Sequence, residues 1–358
     1  MPTFDLDTYR SQSRRLALLL AVTLLASSCS SDETTSVPFE IPDFGPAPTH
    51  DEAVKDPNPT TVRKVLFIAV DGLRADKLDN TDGDRLTIPN FEALQSDGIF
   101  VLESHQERVV LNGGYRTCPG FIQMTTGKRI AAHGVKGNDD CENGRFDDYP
   151  IFFKRLKQLR ANIRIAVAEP TSSVAQIIAG SCDISTVQAC ADEFKTFAKT
   201  YAGDLAGRDL VLQWMTDGRY DVLWYHPHEV DAEGHESGWD DDPIDERIEK
   251  LDADIIRRLR QEVATREAQT LERWMVIVAA DHGGHDTWFG INGNHTIDDR
   301  DKKVPIIVSG TLIPNEGNKG LNAFHTWDLP FTIYDYLGLT PNPAWPSTDG
   351  TSILNPSN

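Results

Sequence analysis

Two apolar runs, VRKVLFIAV at 62–70 and RWMVIVAA at 273–280, each stop at an aspartate. The first meets Asp71-Gly72, the second Asp281-His282-Gly283-Gly284. Runs of this length, rich in Val and Ile and bounded by turn residues, read as strands of a parallel sheet covered on both faces. A third run, Tyr220 to His226, is followed shortly by Asp231-Ala232-Glu233-Gly234-His235. In open α/β sheets ligands gather outside the carboxyl ends of the strands. Three strands would therefore deliver carboxylates and imidazoles to one edge of one sheet.

The rest of the chain fits that sheet. Helical patterns at 89–97, 150–160, 206–215, 244–271 and 329–337 alternate with strand-like runs at 99–103, 163–168 and 304–309. Such alternation predicts an α/β layered fold with a largely parallel central sheet flanked by helices. An apolar content of 39% and a charged content of 25% are ordinary for a globular chain. A chain of 358 residues buries enough surface to need no metal for folding. Cations bound here would serve chemistry.

The N-terminus is of another kind. Arg14 and Arg15 precede the apolar run 16–25, and Ala26-Ser27-Ser28-Cys29 follows. A basic start, a short apolar segment and small residues describe an export signal over 1–28. A run of ten residues is too short to span a bilayer comfortably. The cysteine after the small residues resembles a bacterial lipoprotein signal, in which Cys29 would carry lipid and be the only membrane attachment. The expected location is then the periplasm or cell envelope. Six prolines between 30 and 60, among polar residues, predict a disordered tether over 29–61, with the folded domain over 62–358. Four further cysteines remain, and in an oxidising compartment they suggest disulfides. Cys182 with Cys190 is the easier pair, leaving Cys118 with Cys141, though four cysteines allow three pairings. A net charge of −20 argues against binding a nucleic-acid polymer.

Carboxylate with imidazole is a donor mixture that suits zinc and similar divalent ions. Each motif alone has a plainer reading: Asp-Gly as a turn, Asp-x-x-x-His as a solvated pair. The segment YRTCPGFIQMTTGKRIAAHGVKGN at 115–138 weighs against those readings. Thr117-Cys118-Pro119, Thr126-Gly127, His133-Gly134-Val135 and Asn138 resemble, in register, the type I phosphodiesterase/nucleotide pyrophosphatase branch of the alkaline phosphatase superfamily. The resemblance covers roughly residues 62–340.

That resemblance implies a nucleophile at Thr117 and two divalent metal ions, zinc being expected. Asp71, Thr117, Asp281 and His282 would hold one ion; Asp231, His235 and His295 the other. His325 competes with His295 for the last place, and His285 with His282. Asn138 would hydrogen-bond a phosphoryl oxygen. A hydroxyl at a helix N-terminus lies where backbone N–H groups favour anions, although a Thr there also serves as a plain cap. His226 and His228 are expected in the pocket wall or on the surface, and His133 behind the helix. Gly120, where the family often has a polar residue, is expected to shape the substrate pocket.

The implied partner is a small phosphate-ester substrate, and the implied activity is phosphodiester hydrolysis. A phosphate monoesterase would use the same nucleophile and metals with added positive groups, for which Arg116 and Lys136 are available. A sulfatase is disfavoured, because Thr stands where a modified Cys is needed. A lipid-anchored binding protein that lost the chemistry should have lost ligands, and none is missing.

Overall fold

The computed structural model describes residues 61–79, 86–107, 115–182, 190–287, 293–295, 298–346 and 349–355. The expected signal, Cys29 and the tether up to residue 60 lie outside the described residues. No helix among them is long and apolar enough to cross a membrane.

The strands are β1 (Val62–Val70), β2 (Gly98–His105), β3 (Ile165–Pro170), β4 (Glu193–Phe197), β5 (Val222–Tyr225) and β6 (Glu272–Ala280). There follow β7 (His285–Asp286), β8 (Gly293–Asn294), β9 (Lys303–Ser309) and β10 (Gly317–Asn318). Eight form one sheet in the order β10-β2-β9-β6-β1-β5-β3-β4, while β7 and β8 make a separate ribbon. From β6 to β4 every neighbour is parallel; β9 alone runs against β6 and β2. Alternate residues of β1 enter two cores: Val65, Phe67 and Ala69 on one face, Leu66, Ile68 and Val70 on the other. Helices cover both faces, which is why these strands are apolar throughout and not alternating.

Three helices carry or brace site residues: α1 (Thr117–Thr126), α2 (Tyr201–Asp217) and α3 (Glu229–Ser237). The helix expected over 244–271 contains a π turn, Leu251–Ile256, between α-helical Asp242–Lys250 and Arg257–Gln269. Asp252 in that turn is buried, and its carboxylate accepts the Asn90 (3.0 Å) and Phe91 (2.7 Å) N–H groups. Those donors open the helix Pro89–Ser96, so the irregular turn caps a neighbour. The short strand β4 is an element that sequence patterning did not single out. Cys118 is bonded to Cys141 and Cys182 to Cys190.

Candidate active site

Strand register brings the first two aspartates together. β1 and β6 pair residue for residue from Val62↔Glu272 to Val70↔Ala280, so Asp71 and Asp281 leave the sheet side by side. Gly72 N–H donates to Asp281 Oδ1 at 3.1 Å. Gly72 has a φ of +70°, and a Cβ there would lie 2.9 Å from the Asp231 Cα, so glycine alone fits between the two segments. After β5 the chain turns into α3, where Asp231 and His235 stand four apart on one helix face. Asp204 of α2 accepts the backbone N–H groups of His228 (3.1 Å) and Glu229 (3.0 Å) at the start of α3. Burial raises its carboxyl to about 6.

Thr117 is the first residue of α1, and its Oγ1 lies 3.3 Å from His282 Nε2. The helix is pinned from behind: Asn138 Oδ1 accepts the Cys118 N–H at 3.0 Å, and the Cys118–Cys141 bond closes that loop. A bridge over this separation is worth about 3 kcal/mol. With Oδ1 so engaged, the Asn138 Nδ2 donors are left for another acceptor.

The three imidazoles share one arrangement. Nδ1 of His282 faces the Gly283 carbonyl at 2.8 Å, that of His295 the Tyr115 carbonyl at 2.7 Å, and that of His235 the Gly293 carbonyl at 3.3 Å. A carbonyl accepts only, so each Nδ1 carries the proton and each Nε2 presents a lone pair. Those lone pairs converge. His295 Nε2 is 3.1 Å from His235 Nε2, and both face Asp231 Oδ1, at 3.9 and 3.6 Å. His282 Nε2 is 3.5 Å from Asp71 Oδ1 and 3.3 Å from Asp281 Oδ2. Asp71 Oδ1, Asp231 Oδ1 and Asp281 Oδ2 are buried without a hydrogen-bond donor. Two lone pairs aimed at each other among bare carboxylate oxygens repel, and divalent cations relieve that repulsion. Donor atoms of Asp71, Asp281 and His282, and again of Asp231, His282 and His295, fall within 4.8 Å of one another. The residues fit a cation cluster.

Charge follows the same logic. Burial, and then the neighbouring Asp71, push the Asp231 and Asp281 carboxyls well above the usual range. Burial opposes ionisation of Asp71 as well, but the imidazoles of His226 and His228 outweigh it and hold it well below. Burial lowers His282 to about 4 and His295 to about 2, so both rings are neutral at neutral pH. Nearly half of the His235 side chain is exposed and Thr117 is partly so, which leaves one side of the cluster open to solvent.

The competing histidines separate. His295 enters the cluster, whereas His325 stacks on Trp327 at 4.2 Å and precedes the C-terminal helix Leu329–Tyr336. His285 turns to Asp301 at 2.7 Å. His133 is buried, accepts the Val135 N–H through Nδ1, and lies outside the cluster. Of the two cations expected nearby, Arg116 is half-buried at the N-cap of α1, and Lys136 is exposed.

Two expectations are corrected. Gly120 does not shape a pocket: it is buried against the turn that follows β6, where a Cβ would lie 2.4 Å from the Asp281 carbonyl. His226 and His228 are not wall residues: His226 Nε2 and His228 Nδ1 face Asp71 Oδ2 at 3.4 and 2.9 Å.

Two residues were missed. Glu169, at the end of β3, is fully buried and meets His226 Nδ1 at 2.8 Å and the Trp224 indole N–H. Trp239 is fully buried beneath the cluster and donates its indole N–H to the Gly72 carbonyl at 3.0 Å. A Cβ at Gly234, Gly284 or Gly293 would lie 2.2–2.3 Å from its ring. The glycines of HGGH and NGNH were the available signal for a large side chain packed against them.

Fold and donor set together suit a metal-dependent enzyme. A model of the type I phosphodiesterase/nucleotide pyrophosphatase family matches residues 65–317. The chain belongs to that family, and it is a phosphoric ester hydrolase. Among solved structures it resembles human ectonucleotide pyrophosphatase/phosphodiesterase 5, at 14% identity and a TM-score of 0.60, over 82% of this chain and 98% of that one. It also resembles an inactive threonine-to-alanine variant of the murine enzyme in complex with AMP, at 14% identity and a TM-score of 0.57, over 78% and 96% of the two chains. At such identity the likeness is one of fold. No curated protein matches the sequence.

Proposed function

We propose that the chain is an exported phosphodiesterase that cleaves small nucleotide-like phosphodiesters through a covalent phospho-Thr117 intermediate, with two divalent cations, zinc in the first place. Asp71, Thr117, Asp281 and His282 would hold one ion, and Asp231, His235 and His295 the other. The observation that carries this reading is the convergence of the Nε2 lone pairs of His235, His282 and His295 on unpaired oxygens of Asp71, Asp231 and Asp281. When bound, such ions lower the pKa of a hydroxyl and offset charge on the transferring group.

The residues divide the remaining work. Thr117 Oγ attacks phosphorus at the N-terminus of α1, whose backbone N–H groups favour an anion. The P–O bond to the leaving alcohol breaks opposite, and Asn138 Nδ2 donates to a non-bridging oxygen as charge builds. Water then attacks the phosphothreonine and returns the hydroxyl. AMP in the murine relative supports a nucleotide-like substrate. The catalytic domain would span 62–358, tethered through 29–61 to a lipid on Cys29.

A panel of aryl phosphodiesters, phosphomonoesters and sulfate esters, with zinc added, tests this. Diesters should lead, and Thr117→Ala should lower turnover by at least about 10³-fold while ion content holds. A preference for monoesters would overturn the diester assignment. Unchanged turnover in Thr117→Ala would remove the nucleophile.

A further inference from the structure

Asp71 presents its two carboxylate oxygens to different places. Oδ1 faces His282, inside the cluster already described. Oδ2 faces a second group on the β5 side: His226 Nε2 at 3.4 Å and His228 Nδ1 at 2.9 Å. These three donor atoms lie within 4.8 Å of one another, as do those of the other two sets. Ligand atoms on a tetrahedral or octahedral ion with bonds of 2.0–2.1 Å stand roughly 3.0–3.4 Å apart. The 3.4 Å spacing to His226 falls in that range, and the 2.9 Å spacing to His228 is that of a hydrogen bond, so an ion seated here would displace the His228 Nδ1 proton.

His226 supplies the decisive detail. It is fully buried, its Nδ1 is 2.8 Å from Glu169 Oε2, and its Nε2 makes no hydrogen bond. A carboxylate can only accept from Nδ1–H, so Nε2 is free to act as a lone-pair donor toward a cation beside Asp71 Oδ2. Glu169, in turn, is held by the Trp224 indole N–H. Carboxylate, imidazole and ion in line is the usual way a protein orients a ligating histidine. No Lys or Arg among the described residues forms an ion pair with Asp71 or Glu169, so the positive charge beside them comes from a proton on His226 or His228 or from a bound cation. His228 opens α3, which Asp204 caps, so the third donor sits on a fixed helix end.

We propose that Asp71, His226 and His228 form a third divalent-cation site, with Asp71 bridging it to the ion beside Thr117. The donor set of two imidazoles and one carboxylate suits zinc or a similar borderline ion. An ion there fixes the rotation of the Asp71 carboxylate and therefore the direction of Oδ1. The site shares Asp71 with one of the two that the proposed function uses, and it rests on that reading being right about Asp71.

Elemental analysis of the purified full chain, loaded with zinc and desalted, tests it. The expected content is three ions per chain, falling to two in His228→Ala, with anomalous scattering of the wild-type crystal showing a peak between Asp71, His226 and His228. Two ions in the wild type would mean that a proton occupies the corner, and would overturn the proposal while leaving the proposed function intact. Three ions in both proteins, or no peak at that position, would overturn it equally. One ion or fewer would bring down the two-cation reading itself.

Discussion

β1 and β6 lie side by side, and their two ends treat charge in opposite ways. At the entry end Lys64 is fully buried, yet its ammonium reaches the carbonyls of Gly218 (3.1 Å) and Tyr220 (2.7 Å) and the Asp221 carboxylate (3.4 Å). Beside it Glu272 receives a two-pronged bond from Arg266 at 2.8 and 2.9 Å and the Trp274 indole N–H at 3.1 Å. At the exit end of the same two strands, Asp71 and Asp281 are as deeply buried and each keeps an oxygen without a donor. Burying polar groups without partners costs stability, so the entry end is built to hold the fold and the exit end to hold something else. The contrast within single strands argues against a general looseness of packing.

The sharpest way to break that comparison is to neutralise one acid at each end. Glu272→Gln leaves Arg266 partly unmatched and should destabilise the chelated protein by about 3 kcal/mol. Asp281→Asn removes like-charge repulsion and should stabilise the same chelated protein by about 1 kcal/mol, while weakening zinc binding at least tenfold. Urea unfolding in excess chelator measures both. Equal destabilisation at the two ends would erase the distinction between them.

Much of the exit end was legible in the chain. Asp71 and Asp281 terminate apolar runs whose length and composition mark buried strands, and the spacing of Asp231 and His235 is one helical turn. Thr117 stands before a proline at a helix start. Less visible were residues whose role depends on distant partners. Glu169 ends an otherwise apolar strand and gives no periodic signal. Trp239 acts on Gly72 across 167 positions of sequence. His226 and His228 flank a proline in Tyr-His-Pro-His and read as a polar strand end, because only the pairing of β1 with β5 sets them against Asp71.

Trp239 offers the next test. Trp239→Phe keeps an aromatic ring among three glycines but takes away the donor to the Gly72 carbonyl. It should cost about 2 kcal/mol and loosen zinc affinity, since Gly72 spaces Asp71 from Asp231. A variant with unaltered zinc affinity would confine Trp239 to packing.

The smallest effect concerns a buried imidazole remote from the cluster. Burial lowers His133 to about 3, so the folded ring stays neutral while the unfolded ring titrates near 6.5. The neutral folded form therefore contributes stability above pH 6.5 that is lost as pH falls toward 3. Between pH 7.5 and 5.5 this ring's share of the loss should be about 1 kcal/mol, and that share should be absent in His133→Asn, whose carbonyl can take the Val135 N–H. Urea midpoints at the two pH values decide it. An identical pH response in His133→Asn would show that the ring is protonated in the fold.

The central claim is that Thr117, at the open side of the cation cluster, is the group that attacks phosphorus. Hydrolysis of a phosphodiester made chiral at phosphorus with sulfur and oxygen isotopes tests it directly. Attack by Thr117 followed by attack of water inverts phosphorus twice, so the account predicts overall retention. Overall inversion would mean that water attacks the substrate in a single step, and that Thr117 is a cap and not the nucleophile.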